Sequence, residues 1–166
     1  MKDKLDFSLV KAALIVIAAI GTSASFANIY AQTQLGEPFF QESGMIADQK
    51  KIGPNETQIS YSANGTFKGN IHVKNEGDFI SISRGSNLTF GQGHGIITSS
   101  YSNDTATATF IGVGNVTEEG KPVFNGATAY GTNSTGELAF LNNILGIFKV
   151  EIDETGKFTG IEWQWK

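Results

Sequence analysis

The chain has 166 residues, a formal net charge of −4 and no cysteine. Charged residues make up only 17 % of it and its lysines are scattered, which argues against nucleic acid as a partner. Because disulfides are excluded, a folded domain of this chain depends on its core and its hydrogen bonds.

The first 31 residues have the three-part order of a secretory signal peptide. Three lysines precede the apolar run AALIVIAAIG at 12–21, and the small-residue stretch TSASFANIYAQ follows it. Cleavage fits after Ala27 or Ala31. An uncleaved anchor is the alternative, because residues 12–31 carry no charge and a spanning helix needs about 20 such residues. We therefore expect a secreted or cell-surface protein that meets the membrane only through this segment, if it is retained.

Six Asn-x-Thr tripeptides in the rest of the chain match the N-glycosylation acceptor. Composition alone predicts about two such matches. Asparagine and threonine are also common in β-turns and strands, which is the alternative explanation. The pattern predicts a glycoprotein whose candidate sites are Asn55, Asn64, Asn87, Asn103, Asn115 and Asn133.

From about residue 42 the chain alternates apolar and polar residues in short segments that end at Gly, Asn and Asp turns. This spacing is typical of an all-β sandwich or barrel. We count about eight or nine strands, enough to close an antiparallel barrel. The predicted organisation is a lead-in at 32–41 and a β-barrel domain at 42–166. Predicted turns lie at Asn64-Gly65, at NEGD (75–78), at SNDT (102–105), at TEEGKP (117–122) and at DETGK (153–157).

One segment, residues 134–145, departs from the strand pattern. Ser134 and Glu137 form a capping box, and leucines follow at helical spacing. The segment predicts a short helix that packs on the barrel or plugs one end.

The stretch FGQGHGIITS, residues 90–99, has glycine at three alternate positions. A dinucleotide or phosphate loop needs a different glycine spacing and a following helix, so we expect no cofactor. As a strand, the stretch places its glycines on one face and its large residues on the other. Because the second set is more apolar, that face is predicted to point into the barrel.

A small ligand pocket follows from this orientation. Its polar end would be Gln92 and His94, and Phe90 and Trp163 would be apolar parts of its wall. The alternatives are a hydrogen-bonded core histidine and a tryptophan that belongs to the core or closes the barrel end. Because complete metal-binding and nucleophile motifs are missing from the sequence, we predict neither a metal ligand nor a catalytic residue.

Three stretches, GQGHGIITS, ATATFIGVG and GELAFLNNILGIFKVEIDETGKFTGIEWQWK, resemble an uncharacterised family of small prokaryotic proteins. The match covers residues 42–166, and that family resembles calycin-like barrels of the allene oxide cyclase and lipocalin kind. The resemblance implies a closed antiparallel barrel with room for an apolar ligand, and it implies no reaction. The segment TATAT lacks the aromatic residue expected in its strand, and an intracellular role of relatives need not apply to an exported chain.

These observations favour an exported, N-glycosylated β-barrel that acts as a small-molecule-binding or cell-envelope module, with a hydrophobic small molecule as its partner. One alternative is a barrel enzyme of isomerase or cyclase type on a hydrophobic substrate, and another is a structural surface protein. An interior cavity of about 300 Å³ or more would favour the ligand-binding and enzyme hypotheses. The oligomeric state does not follow from the sequence.

Overall fold

The structure, a computed structural model, describes residues 35–118 and 120–166. The predicted signal peptide at 1–31 lies outside the described residues and stays a prediction. The described chain forms eight strands and one 3₁₀ turn. Their bounds are β1 Phe40–Lys51, β2 Glu56–Phe67, β3 Ile71–Ser83, β4 Leu88–Ser99, β5 Thr105–Val116, β6 Pro122–Gly131, the 3₁₀ turn Ala139–Leu141, β7 Leu145–Ile152 and β8 Lys157–Gln164.

The eight strands form one closed antiparallel barrel. Each strand pairs with the next in the chain, and β1 also pairs with β8. The predicted all-β barrel is therefore confirmed, with eight strands. Closure removes the free sheet edges at which another chain could pair. In the described parts of the chain, no helix is long and apolar enough to cross a bilayer.

Two of the predicted turns are wrong, because contacts between strands override local turn preferences. Asn64-Gly65 lies inside β2, and the NEGD segment lies inside β3. The β2–β3 hairpin turns instead at residues 68–70, where Gly69 and Asn70 have φ of 92° and 63°. Gly65 stays in the strand because the Phe40 ring lies against it, so close that a Cβ there would be 2.5 Å from the ring.

The predicted helix at 134–145 is also wrong, since only Ala139–Leu141 form a 3₁₀ turn. Its two capping residues are used by neighbouring strands. The backbone N–H of Thr105 donates to Ser134 Oγ at 3.0 Å, and Ser99 Oγ donates to the Glu137 carboxylate at 2.6 Å. Without these caps a short helix has little to stabilise its first turn.

The same segment nevertheless closes one end of the barrel, as the sequence predicted. Leu138 and Leu141 are both 0 % exposed. They pack on inward side chains from the strand ends around them. We call this end of the barrel the closed end, and these inward side chains are Phe39, Phe67, Val73, Ile97 and Tyr130. We call the opposite end of the barrel the mouth. The inward side chains there are only half buried, and they are Ile46, Phe79, Phe124, Phe148 and Ile152.

Candidate functional site

Gln92, His94 and Phe90 lie on the outer face of β4, so the predicted orientation of this strand is wrong. Gln92 is exposed, and the His94 side chain is 66 % exposed, with its Nε2 3.5 Å from the Asp78 carboxylate. The Phe90 ring is half buried, with the Arg84 guanidinium 4.5 Å from its centroid. These three side chains therefore do not line the interior cavity.

The alternating glycines of β4 point inward because side chains from other strands occupy the space in front of them. A Cβ on Gly95 would lie 2.5 Å from the Tyr61 hydroxyl and 2.6 Å from Asn75 Oδ1. A Cβ on Gly93 would overlap the Cβ of Phe79. The interior volume of an eight-stranded barrel is only slightly larger than the volume of the side chains that fill it. Not every strand can therefore point large residues inward. In β4, Phe90 and Ile96 point outward, whereas the glycines and Ile97 point inward.

Trp163 does not line the cavity either. It lies opposite Ile147 in the β7–β8 ladder, out of phase with the inward residues Phe158 and Glu162. Trp163 is nonetheless only 6 % exposed, whereas Trp165 is 60 % exposed. The low exposure of Trp163 agrees with the alternative prediction that it is a buried residue. Its position in the ladder contradicts the predicted place on the cavity wall.

Between the closed end and the mouth, the barrel holds a cavity of about 110 Å³. This is below the size of about 300 Å³ that would favour the ligand-binding and enzyme hypotheses, and it is of the same order as the cavity of about 150 Å³ that holds benzene in an engineered protein. A molecule built on a single ring is therefore of the right size. The apolar wall includes Phe40, Phe79, Phe110, Phe148, Val150 and Phe158.

On one side of the cavity, hydrogen bonds link Tyr61 to Glu42. The Tyr61 hydroxyl donates to Asn75 Oδ1 at 3.3 Å, and Asn75 Nδ2 donates to Glu42 Oε2 at 2.8 Å. Burial raises the pKa of the Glu42 carboxyl above its ordinary value, against the hydrogen bond from Asn75. Burial, and secondarily the charge of Glu42, also raises the pKa of Tyr61, so its hydroxyl stays protonated and donates.

A second carboxyl, that of Glu162, lines the same cavity, and this residue is buried, at 5 % exposure, whereas Glu42 is half-buried. The Tyr130 hydroxyl donates to its Oε2 at 2.7 Å. Its Oε1 is buried and has no hydrogen-bond partner among the described residues. Burial raises the pKa of Glu162 to about 8, against hydrogen bonds from Tyr130 and Thr128. Glu162 is therefore mostly protonated at neutral pH.

Strand pairing places the two carboxyl groups on neighbouring strands. Phe40 is opposite Glu162, and Glu42 is opposite Gly160, in the β1–β8 ladder. Glu42 and Glu162 are therefore diagonal neighbours on the inner face, and the charge of Glu42 contributes to the raised pKa of Glu162. None of the described residues around the cavity is basic, so no side chain there compensates two carboxylates.

Sequence reasoning missed both carboxyls, because an acid in an alternating strand is normally assigned to the solvent face. A signal was nevertheless present. Glu162 shares its phase with Phe158 and Gly160, and Glu42 shares its phase with Ile46. Each acid thus lies in register with apolar or small residues, as an inward residue must.

The six candidate glycosylation asparagines are all exposed. Four of them lie in loops between strands, where an attached glycan displaces no structure: Asn55, Asn87, Asn103 and Asn133. Asn64 in β2 and Asn115 in β5 point outward from the barrel.

No known family model matches the sequence, and no curated protein matches it either. A solved structure resembles the barrel, the conserved protein of unknown function RPA1785 from Rhodopseudomonas palustris. Its TM-score is 0.62 at 13 % sequence identity, over 77 % of this chain and 94 % of that chain. At this level of identity the likeness shows the fold alone.

Proposed function

We propose that the barrel is a binding module that takes a small, mostly apolar molecule into its interior. The observation that carries this proposal is the cavity of about 110 Å³, with an aromatic wall, the buried carboxyl group of Glu162 and the half-buried carboxyl group of Glu42. Apolar walls with a few polar groups are the usual composition of small-molecule sites. A kinship with calycin-like barrels is part of the proposal, and the closed eight-stranded sheet supports it.

Toluene is a suitable neutral probe, because it is apolar and contains a single ring. We expect saturable binding to the full-length protein with a dissociation constant of about 1 mM, which is about −4 kcal/mol. In a two-dimensional NMR titration, the amide signals of Gly91 and Gly112 on the cavity wall should shift.

Leucine at position 91 should abolish this binding by filling the cavity. The nearest atom to a Cβ on Gly91 is Phe79 Cδ2 at 3.8 Å, so a side chain there enters the cavity without striking the backbone. Gln92→Leu is the matched control, since it adds the same apolar group to the outer face. If Gly91→Leu binds toluene like the wild type, the interior is not the site, and the structural surface protein becomes the better hypothesis.

We propose further that the protein is exported and carries N-linked glycans. The signal-peptide pattern of residues 1–31, in which lysines, an apolar run and small residues follow one another, supports export. The exposure of all six acceptor asparagines supports glycosylation. Intact mass spectrometry of the protein from its own cells is the test. We expect the mass of residues 28–166 or 32–166 plus several sugar increments, whereas the mass of the unmodified full chain would contradict both export and glycosylation.

A barrel enzyme of isomerase or cyclase type is the second candidate function. The observation in its favour is the pair of carboxyls with raised pKa, those of Glu42 and Glu162, which line an apolar cavity. If the protein is an enzyme of this type, Glu42 or Glu162 transfers a proton to or from the substrate. Turnover of a hydrophobic substrate that survives both Glu42→Gln and Glu162→Gln would exclude this role.

A further inference from the structure

We propose that the cavity selects small organic cations, molecules in which a quaternary or protonated nitrogen is attached to a compact apolar group. The aromatic wall holds the apolar part, and Glu162, with Glu42 beside it, supplies the opposing charge. This inference rests on the proposed function, because it names the chemical class of the molecule that the cavity takes.

The first support is the charge of the cavity wall. Two carboxyl groups face the cavity, and the described lining contains no basic side chain. An anionic ligand would add a negative group that no basic side chain pairs, and burial of unpaired charge is costly. A cation is instead attracted by each of the two carboxyls in its ionised form.

The second support is the free oxygen of Glu162. Its Oε2 accepts the hydrogen bond of Tyr130, while its buried Oε1 packs against Gly146 and has no hydrogen-bond partner in the described parts of the chain. Burial of an unsatisfied polar oxygen costs free energy unless a ligand, ion or water compensates it. At a pH where Glu162 is ionised, a cation in the cavity would compensate its charge.

The third support is the arrangement of aromatic rings around the cavity. The Tyr61 ring contacts Phe79, Phe110 and Phe158, with centroids 6.5, 6.2 and 6.0 Å apart and tilted or edge-on planes. All four of these residues line the cavity. Aromatic faces attract cations, and they do so more strongly where water is excluded.

The protonation of Glu162 predicts how this selectivity depends on pH. Its pKa is about 8, so the carboxyl is mostly neutral at pH 6 and mostly charged at pH 9. The other titratable groups that act on it are Glu42 and Tyr130, and Tyr130, like Tyr61 on the same cavity, stays protonated over this range. The preference for a cation should therefore increase as pH rises through 8.

The test compares two probes of nearly the same shape, N-methylpyridinium and toluene, by NMR titration of the full-length protein. N-methylpyridinium carries a permanent charge, so only the protein titrates. At pH 9 we expect it to bind at least ten-fold more tightly than toluene, and this ratio should fall at pH 6. Glu162→Gln should remove most of the preference for the cation over toluene, and a circular dichroism spectrum like that of the wild type shows that the variant is folded. If that variant does not fold, Glu42→Gln is measured in its place and should reduce the preference.

The outcomes separate the two proposals. If toluene binds and N-methylpyridinium binds no better, the cation proposal is wrong and the apolar binding module stands. If the cation is preferred equally by the wild type and by the carboxyl variants, the assignment to Glu162 and Glu42 is wrong. If neither probe binds, the proposed binding function fails, and the cation proposal fails with it.

Discussion

Replacing Gly93 with alanine is expected to lower the free energy of unfolding by about 3 kcal/mol or more, an effect at the upper end for overpacking. The added Cβ would overlap the carbonyl oxygen of Asp78 and the Cβ of Phe79, and it would lie 2.7 Å from the Phe79 Cα. Two of these three atoms belong to the backbone of β3, so a simple side-chain rotation does not relieve the collision. Either β3 and β4 must separate or β4 must change its course.

Alanine at Gly91 is the matched control, two residues earlier on the same face of the same strand. Its Cβ would make only an ordinary contact, 3.8 Å from Phe79 Cδ2. Because alanine reduces the conformational freedom of the unfolded chain, this variant should be unchanged or more stable by up to about 1 kcal/mol. The free energies of unfolding of both variants are measured by urea denaturation with circular dichroism as the signal. Equal effects at the two positions would contradict the inward packing of the β4 glycines.

The free energy of unfolding of the wild type is expected to fall as pH rises from about 4.5 to about 8, by an amount of the order of 4 kcal/mol. The cause is Glu162, whose pKa rises from an ordinary 4.5 to about 8 on folding. Below pH 4.5 the carboxyl is protonated in both states, so the native state suffers no penalty. Between the two values the unfolded chain releases the proton and the native state retains it, and each pH unit is worth about 1.4 kcal/mol.

Glu162→Gln should remove most of this slope. The amide keeps an oxygen that can accept the Tyr130 hydroxyl, and it has no proton to release. The variant should therefore be more stable than the wild type at pH 8 and close to it at pH 4.5. Glu42 contributes in the same direction, because burial also raises its pKa. Chemical denaturation of both proteins at several pH values between 4.5 and 9 is the measurement.

Glu151→Gln is the control for this second experiment. A hydrogen bond from Lys149 lowers the pKa of Glu151, which favours the native state at higher pH instead. The Glu151 side chain is about half exposed, so the effect should be small. A wild-type slope that persists in Glu162→Gln would show that Glu162 titrates normally in the native state.

The strands could be predicted from the sequence because alternation is a local property. Strand β5, read from TATATFIGVG, and the closing hairpin of β7 and β8 lie where the pattern places them. The wrong elements are those in which a distant contact competes with a local preference. Asn64-Gly65 favours a tight turn locally, but the Phe40 ring from β1 packs on Gly65 and keeps it in the strand.

The candidate site was harder to predict than the strands. Period-two alternation divides the residues of a strand between two faces and does not state which face is inward. Apolarity is the usual guide, and it failed for β4, where Phe90 and Ile96 point outward and the glycines point inward. The same guide assigns acids to solvent, so it predicts Gln92 and His94 as the polar groups of the pocket and misses Glu42 and Glu162.

The sequence by itself determined the all-β class, most of the strand segments and closure by the last segment before β7. These features depend on alternation, turn residues and buried leucines, all of which act over a few positions. Only the tertiary structure decided which face of β4 is inward and that two acids share one cavity. The physical reason is volume, since an eight-stranded barrel holds a limited set of side chains. Whether a given strand contributes an aromatic ring, a glycine or a carboxyl group to the interior depends on the volume that the side chains of the other strands occupy there.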